Sequence, residues 1–205
     1  MEFFHGGPEP GLRVGVLAGA FNPPTQAHVL LAEAALDHVD QVIWTLPRLL
    51  PHKPLHGAMF EQRIAMLCRL AREDARYSVA ASDGGLFLDI ARECQKALSS
   101  PAELLFICGR DAAQRVIGWD YGRPGALDEM LAEFKLLVAG RKGDFHAPTP
   151  IAGRVRHLAL AGPIDQVSST EVRERIARGE AWEHLVPGAI ASTVERIYSR
   201  ASHGR

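Results

Sequence analysis

The residues with the clearest chemical potential run from Gly19 to His28, directly after an apolar run at 14–18. Such a run is typical of a buried parallel strand, and Thr25 is a typical N-cap for a helix that follows it. The first amide groups of a helix have no partners within the helix and bind anions such as phosphate. Gly19 also lets a ligand approach the backbone closely. The stretch therefore predicts either an anion site or an ordinary capped helix.

His28 would occupy the third position of that helix, where a capping box places Glu or Gln. A histidinium in the first turn is disfavoured by the positive end of the helix dipole, unless an anion lies opposite it. Spacing alone leaves a phosphate ligand and a structural histidine equally open.

A second polar stretch, Val-Ser-Ser-Thr-Glu-Val-Arg, ends at Arg173. Ser168 and Glu171 have the spacing of a capping box, which explains them as the start of a helix. Arg173 needs another reason, because a cation in the first two turns is better accommodated with a phosphate nearby.

These two stretches resemble the two signatures of the nucleotidylyltransferase superfamily. The first signature, Gly-x-Phe-(Asp/Asn)-Pro-x-(His/Thr)-x-x-His, matches residues 19–28, with Ala27 in place of the commoner Gly. The second, Ile-Ser-Ser-Thr-x-x-Arg, matches residues 167–173, with Val167 in place of Ile. The resemblance implies that the first signature cradles the triphosphate of a nucleotide and that the second binds the phosphates from the opposite side.

Further stretches resemble the nicotinate/nicotinamide mononucleotide adenylyltransferases within that superfamily. Residues 51–53 read Pro-His-Lys, and the following helical pattern completes a loop and helix of those enzymes. Gly109-Arg110-Asp111 resembles their Gly-Ala-Asp, a turn that contacts adenosine or the mononucleotide, and Trp119 matches a Trp that stacks on the pyridine ring. Arg141, after the fifth predicted strand, matches an Arg that meets the ligand. Trp119 is explained equally well as a half-buried aromatic beside a loop, and Arg141 as a solvated loop residue. The His52-Lys53 pair alone would be an ordinary solvated loop.

One stretch departs from the family pattern. Bacterial members usually read Ser-Tyr-Thr-x-Asp-Thr-Leu after the third strand, whereas residues 85–91 read Gly-Leu-Phe-Leu-Asp-Ile-Ala. Asp89 is retained, but apolar side chains replace the hydroxyls that help to recognise the pyridine substrate. The second substrate is therefore left open between nicotinate mononucleotide, nicotinamide mononucleotide and another phosphorylated acceptor.

The resemblance implies a transfer in NAD biosynthesis, in which a pyridine mononucleotide phosphate attacks the α-phosphorus of ATP and releases pyrophosphate. Because this nucleophile is already anionic, positioning and charge stabilisation suffice. The expected catalytic residues are His28, Lys53 and Arg173. The expected nucleotide-binding residues are Gly19, Ala20, Phe21, Asn22, Thr25, Gly109, Asp111, Ser168, Ser169 and Thr170. The expected substrate-binding residues are His52, Trp119 and Arg141. Mg²⁺ is expected to arrive with ATP, since no carboxylate cluster stands out to hold it.

The elements that position these residues follow from the apolar pattern. Strands that alternate with helices predict an α/β fold, a Rossmann-like open and mainly parallel sheet with helices on both faces. Ligands in such sheets bind beyond the carboxyl ends of the strands. Residues 1–12 predict a loose N-terminal arm, and residues 13–200 a single nucleotidyltransferase domain. The predicted strands lie at 14–18, 41–46, 77–81, 102–108, 134–139 and 156–160.

Composition excludes several other classes of function. The 205 residues contain 23 basic and 24 acidic side chains, so no general affinity for nucleic acid or anionic membranes is expected. No apolar run approaches the ~20 residues of a membrane span, and no secretory signal is evident, which predicts a cytoplasmic protein. The odd number of cysteines (Cys68, Cys94 and Cys108), all in apolar segments, predicts reduced, structural thiols. The sequence leaves open whether the protein is a homo-oligomer.

Two rival functions fit the same signatures. A phosphopantetheine adenylyltransferase-like enzyme also favours Thr at position 25, although such chains are shorter and lack the Pro-His-Lys loop. A non-catalytic nucleotide sensor could retain the phosphate cradle and lose turnover through the altered stretch at 85–91.

Overall fold

The computed structural model describes residues 1–7, 13–49, 57–98, 101–140, 145, 147–160 and 167–201. The strands are β1 (Glu2–His5), β2 (Arg13–Ala18), β3 (Gln41–Pro47), β4 (Tyr77–Ser82), β5 (Glu103–Gly109), β6 (Lys135–Ala139) and β7 (Val155–Leu158). The α-helices are α1 (Gln26–Ala35), α2 (Phe60–Ala71), α3 (Phe87–Ala97), α4 (Arg110–Gly118), α5 (Ala126–Glu133), α6 (Ser169–Arg178) and α7 (Ala191–Ala201). Short 3₁₀ turns lie at Thr149–Arg154, Glu183–Leu185 and Gly188–Ile190.

The strands form one seven-stranded sheet in the order β1-β4-β3-β2-β5-β6-β7. Every pairing is parallel except that of β1 with β4. The predicted Rossmann-like, mainly parallel sheet is therefore confirmed. Along the chain, β2, β3 and β4 follow one another toward one edge of the sheet, and β5, β6 and β7 follow one another toward the other edge. The strand order therefore reverses between the central strands β2 and β5. A ligand cleft is expected beyond their carboxyl ends.

Buried side chains alternate between the two faces of the sheet, as the period of a strand requires. On β3, Trp44 packs in a cluster with α1 and α2, whereas its neighbour Ile43 packs in a cluster with α3 and α5. A third cluster joins α2 to α6 and α7 and includes Val172 and Tyr198. The last cluster fixes the second polar stretch against the body of the fold.

The predicted loose arm is wrong for its first residues. Glu2–His5 forms β1 and pairs antiparallel with β4. Two aromatic rings stabilise β1. Phe3 packs against the core cluster that contains α3 and α5, and Phe4 lies edge-on to Phe60 with ring centroids 6.3 Å apart. The Gly and Pro residues of this segment predicted a loop, whereas the strand is stabilised by contacts with residues far along the chain. Residues 8–12 lie outside the described part of the chain.

Cys94 and Cys108 are buried in the core, and burial raises the pKa of both thiols to about 12. Both groups are therefore protonated at neutral pH, in keeping with a structural role. Across the described ranges, no helix combines the length and the apolar character that crossing a bilayer requires.

Candidate active site

A cavity of about 560 Å³ opens at the carboxyl ends of β2 and β5, where the strand order reverses. Its lining comes from the loop after β2, the start of α1, the β5–α4 junction and the start of α6. The two polar stretches of the sequence therefore face one cavity, although they are separated by more than a hundred residues.

The 19–25 turn, between β2 and α1, is anchored by an aromatic ring. Phe21 adopts a positive φ of 45° and is 1% exposed, and its ring packs against Trp44 at 5.6 Å and His28 at 5.1 Å. A Cβ at Gly19 would lie 3.3 Å from the Phe21 ring, so the ring explains the small residue there. Burial of Phe21 thus holds the turn in a single conformation.

Donors from two other helices occupy the carbonyl oxygens of the 19–25 turn. Arg63 Nη1 donates to the Ala20 carbonyl at 3.0 Å, and Arg173 Nη1 donates to the Asn22 carbonyl at 2.6 Å. The Ser169 hydroxyl donates to the Pro23 carbonyl at 2.7 Å. Carbonyl oxygens would repel a phosphate, so these bonds make the turn compatible with an anion.

His28 completes the cap of α1 and also lines the cavity. Its Nδ1 accepts a hydrogen bond from the Thr25 backbone N–H at 3.0 Å and lies 2.8 Å from Thr25 Oγ1. A backbone N–H can only donate, so Nδ1 carries a lone pair and the proton of the neutral ring is on Nε2. His28 therefore takes the place of the Glu or Gln of a capping box, which the sequence analysis treated as a departure from that pattern.

Thr25 is fully buried and lies outside the residues that line the cavity. Its N–H and hydroxyl contact His28 Nδ1, and the nucleotide contact of Thr25 stays a prediction. Its backbone is extended, as expected of an N-cap.

The start of α6 forms another part of the cavity lining. Ser168 Oγ accepts from the Glu171 backbone N–H at 3.1 Å, while the Glu171 carboxylate accepts from Arg175 Nε at 2.6 Å. One half of the predicted capping box is therefore present, and the Glu171 side chain serves an ion pair. Arg173 donates to the Ser169 carbonyl at 3.1 Å and to the Thr170 hydroxyl at 3.2 Å. These partners and the Asn22 carbonyl are neutral, so the positive charge of Arg173 is available to an anion.

The charged side chains of the cavity are mostly cationic. Three arginines and one carboxylate are among the lining residues, so their formal charges sum to +2 with His28 neutral. A cleft of this sign attracts polyanions. The charged lining residues are Arg110, Arg115, Arg173 and Asp111.

Most of the predicted nucleotide-binding residues meet at this cavity. The lining includes Gly19, Ala20, Phe21, Asn22, His28, Gly109, Asp111, Ser168, Ser169, Thr170 and Arg173. Trp119 follows α4, is 57% exposed and is not among the lining residues. His52, Lys53 and Arg141 lie outside the described residues.

Arg63 supports the 19–25 turn, a contact that the sequence did not predict. It is 2% exposed beneath the 19–25 turn, and burial lowers the pKa of its guanidinium below the ordinary value. The signal in the sequence is its position, because Arg63 lies in the apolar stripe of α2 with Met66, Leu67 and Leu70. An arginine in such a stripe is expected to be buried and to need a hydrogen-bond acceptor.

The stretch that departs from the family pattern forms the β4–α3 loop and the start of α3. Phe87 lines the cavity and stacks on Phe106, with ring centroids 4.5 Å apart, whereas Leu86 is 54% exposed. The Glu93 carboxylate holds the loop by accepting from the backbone N–H groups of Gly84 (2.7 Å) and Asp83 (3.0 Å). Phe87 therefore both packs in the core and lines the cavity.

Replacing Glu93 with Gln should reduce stability in a pH-dependent way. Burial raises the pKa of Glu93, but hydrogen bonds from Gly84 and Asp83 and the Met1 ammonium outweigh burial and lower it below 4.5. A carboxyl group whose pKa is lower in the folded state stabilises the fold at pH values above its unfolded-state pKa. This contribution is lost as the pH falls through the folded-state pKa. The variant should therefore lose about 1–3 kcal/mol at pH 7.

Thermal unfolding at pH 7 and pH 3 measures this effect, with the exposed Glu73→Gln as a matched control. The difference in Tm between wild type and Glu93→Gln should narrow at pH 3. An equal difference at both pH values would contradict the role of the Glu93 charge.

No group of three or more His, Cys, Asp or Glu side chains suited to a metal ion occurs among the residues that the structure describes. Asp111 is the carboxylate among the described lining residues. A divalent cation in this cavity would therefore take most of its ligands from a bound phosphate chain and water.

Comparisons with known proteins agree with this geometry. The family model described as cytidylyltransferase-like matches residues 16–175. The chain is 30% identical over 216 residues to a probable nicotinate-nucleotide adenylyltransferase of a Geobacter species, covering 91% of this chain and 98% of the relative. It is 30% identical over 195 residues to a probable nicotinate-nucleotide adenylyltransferase of Thermus thermophilus, covering 90% of this chain and 97% of the relative.

A solved structure shows the same fold. It is the Plasmodium falciparum nicotinic acid mononucleotide adenylyltransferase complexed with NaAD, with a TM-score of 0.66 and 16% sequence identity. The match covers 90% of this chain and 95% of the other. The two signatures line one cavity, the family model matches most of the chain, and two relatives are 30% identical across nearly their whole length. The chain therefore belongs to the cytidylyltransferase-like family, among the nicotinate-nucleotide adenylyltransferases.

Proposed function

We propose that this enzyme transfers the adenylyl group of Mg-ATP to nicotinate mononucleotide and releases pyrophosphate. The observation that carries the proposal is the cationic cavity whose lining includes both His28 and Arg173. The names of the relatives favour nicotinate mononucleotide over nicotinamide mononucleotide as the acceptor. The net positive lining also favours an acceptor that carries an additional carboxylate.

The reaction needs little covalent chemistry from the protein. A phosphate oxygen of the mononucleotide attacks the α-phosphorus of ATP in line, and the bond from the α-phosphorus to the bridging oxygen breaks. Pyrophosphate leaves with that electron pair. Because the attacking oxygen is already anionic, no general base is required, and catalysis rests on orientation and charge stabilisation.

His28 and Arg173 would supply most of that stabilisation within the described cavity. The Nδ1 of His28 accepts from the Thr25 backbone N–H, so Nε2–H is the group that would donate to a phosphate oxygen. Arg173 would place a full positive charge on the other side of the phosphate chain. Ser168, Ser169 and Thr170, together with the first amide groups of α1 and α6, would hold the β- and γ-phosphates.

The remaining predicted residues complete the proposal. Gly109 and Asp111 would contact the adenosine or the mononucleotide at the β5–α4 junction. Lys53 would neutralise charge on the transferred group. His52, Trp119 and Arg141 would contact the acceptor. Mg²⁺ would enter as part of the ATP substrate, coordinated by its phosphates and water.

Pyrophosphate release with Mg-ATP and three separate acceptors tests the proposal. The acceptors are nicotinate mononucleotide, nicotinamide mononucleotide and 4′-phosphopantetheine. We expect turnover with the first and a kcat/KM at least about 10-fold lower with the second, since one misplaced polar contact costs about 1–3 kcal/mol. Turnover on phosphopantetheine alone would assign the other transferase class. Binding of ATP without turnover on any of them would indicate a sensor.

A further inference from the structure

Asn22 connects the 19–25 turn to three other segments of the chain. Its side chain is buried, and Oδ1 accepts hydrogen bonds from the Ala58 backbone N–H at 3.1 Å and the Tyr198 hydroxyl at 2.5 Å. Its backbone carbonyl accepts from Arg173 Nη1 at 2.6 Å. These partners lie just before α2, on α7 and on α6. Asn22 is thus the point where three packed elements set the geometry of the turn.

The direction of each hydrogen bond is fixed by chemistry. The Ala58 N–H can only donate, so the Asn22 atom that faces it is the amide oxygen. Tyr198 faces the same oxygen, so its hydroxyl must also donate. Tyr198 is 5% exposed, and burial raises its pKa well above the ordinary value, so the hydroxyl keeps its proton.

Gly57 permits the close approach of these groups. Its φ of +102° is disfavoured for residues with a side chain, and a Cβ there would lie 2.8 Å from Tyr198 Cε1 and 2.9 Å from Asn22 Oδ1. The backbone at 57 therefore packs directly onto the Asn22–Tyr198 hydrogen bond. A side chain at position 57 would therefore displace Asn22 or Tyr198.

We propose that Tyr198 is a positioning residue for the adenylyl transfer, in which its hydroxyl fixes Asn22 and the Asn22 carbonyl in turn fixes Arg173 at the cavity. The inference rests on the proposed function, in which Arg173 meets the phosphates. Tyr198 is not among the lining residues, so its effect on a ligand must pass through Asn22. An Arg173 guanidinium displaced by a fraction of an ångström would lose its alignment with the charge that develops on the phosphates.

The Tyr198→Phe variant tests the proposal, because it removes the hydroxyl and keeps the ring in its cluster. We expect kcat for pyrophosphate release to fall about 10-fold and the KM for ATP to rise about 3-fold. The matched control is Tyr77→Phe, which also removes a buried hydroxyl. Tyr77 is 6% exposed and lies at the start of β4, at the end of the sheet opposite the cavity. The control should retain wild-type kcat, and both variants should melt within a few degrees of wild type.

A double-mutant cycle separates positioning from general loosening of the fold. If Tyr198 acts through Asn22, then Tyr198→Phe should cost nothing further in an Asn22→Ala background. An additive loss of kcat in the double variant would overturn the proposal. Wild-type kcat in the Tyr198→Phe single variant would also overturn it.

The Kd of Mg-ATP, measured by calorimetry, keeps the inference testable if no acceptor supports turnover. Absence of turnover would refute the proposed function. The link from Tyr198 through Asn22 to Arg173 would still be tested by the same double-mutant cycle, with the Kd of ATP in place of kcat. In this cycle, Tyr198→Phe should weaken ATP binding about 3-fold or more in the wild-type background and not at all in the Asn22→Ala background. Equal ATP affinity of wild type and Tyr198→Phe would overturn the inference in that case.

Discussion

Replacing His28 with alanine is expected to lower kcat by about 10²- to 10³-fold, the loss typical of removing one preorganised donor to a developing oxyanion. Because Nδ1 of His28 accepts from the Thr25 backbone N–H, the proton of the neutral ring is on Nε2, which would donate to the phosphate. The same substitution removes a helix cap, which costs about 1 kcal/mol of folding stability. Steady-state pyrophosphate release and thermal unfolding measure the two losses separately.

Two conservative variants of His28 distinguish catalysis from capping. His28→Asn places an amide oxygen near the position of Nδ1, so it should keep the cap and the wild-type Tm but lose the donor at Nε2. His28→Gln reaches further and can place an amide N–H near the phosphate, so it should recover part of kcat. Near-wild-type kcat in His28→Asn would show that His28 serves the helix alone.

Replacing Arg173 with alanine is expected to lower kcat/KM for ATP by about 10²-fold or more, because the variant removes a charge-assisted contact from the cavity. It also removes the side-chain donor from the Asn22 carbonyl, which would then face the phosphate unpaired with Arg173. Steady-state kinetics over a range of ATP concentrations would measure the loss.

Arg173→Lys keeps the charge but cannot reproduce a planar guanidinium that reaches several oxygens at once. It should therefore recover only part of kcat/KM. The control on the same helix is Arg178→Ala, whose exposed guanidinium pairs with Glu180 at 2.8 Å. Exposed ion pairs contribute about 0–1 kcal/mol, so this variant should behave as wild type. A similar loss in Arg173→Ala and Arg178→Ala would refute a specific role for Arg173.

Much of the active site could be predicted from the sequence because each signature is local. The residues at 19–28 and at 167–173 each form one strand–helix junction or helix start, and short-range spacing determines such junctions. The alternation of apolar strands and helices likewise predicted a parallel sheet, and the sheet places both junctions at its carboxyl edge.

The sequence was less informative where a residue takes its role from a partner far along the chain. Arg63 reaches Ala20 across 43 positions, and Tyr198 reaches Asn22 across 176. No periodicity encodes such contacts, since they depend on how α2 packs against the sheet and how α7 packs against α2 and α6. β1 was missed for the same reason, because its stability comes from pairing with β4 and from the ring of Phe60.

The sequence by itself thus determined which side chains could meet a phosphate, since residue type and local spacing suffice for that. Only the tertiary structure decided how those side chains are held. It buries Thr25 beneath the cavity, makes the Nδ1 of His28 an acceptor and turns the carbonyls of the 19–25 turn toward Arg63 and Arg173. Hydrogen-bond direction and burial are properties of three-dimensional packing, and they convert a set of polar residues into an oriented site.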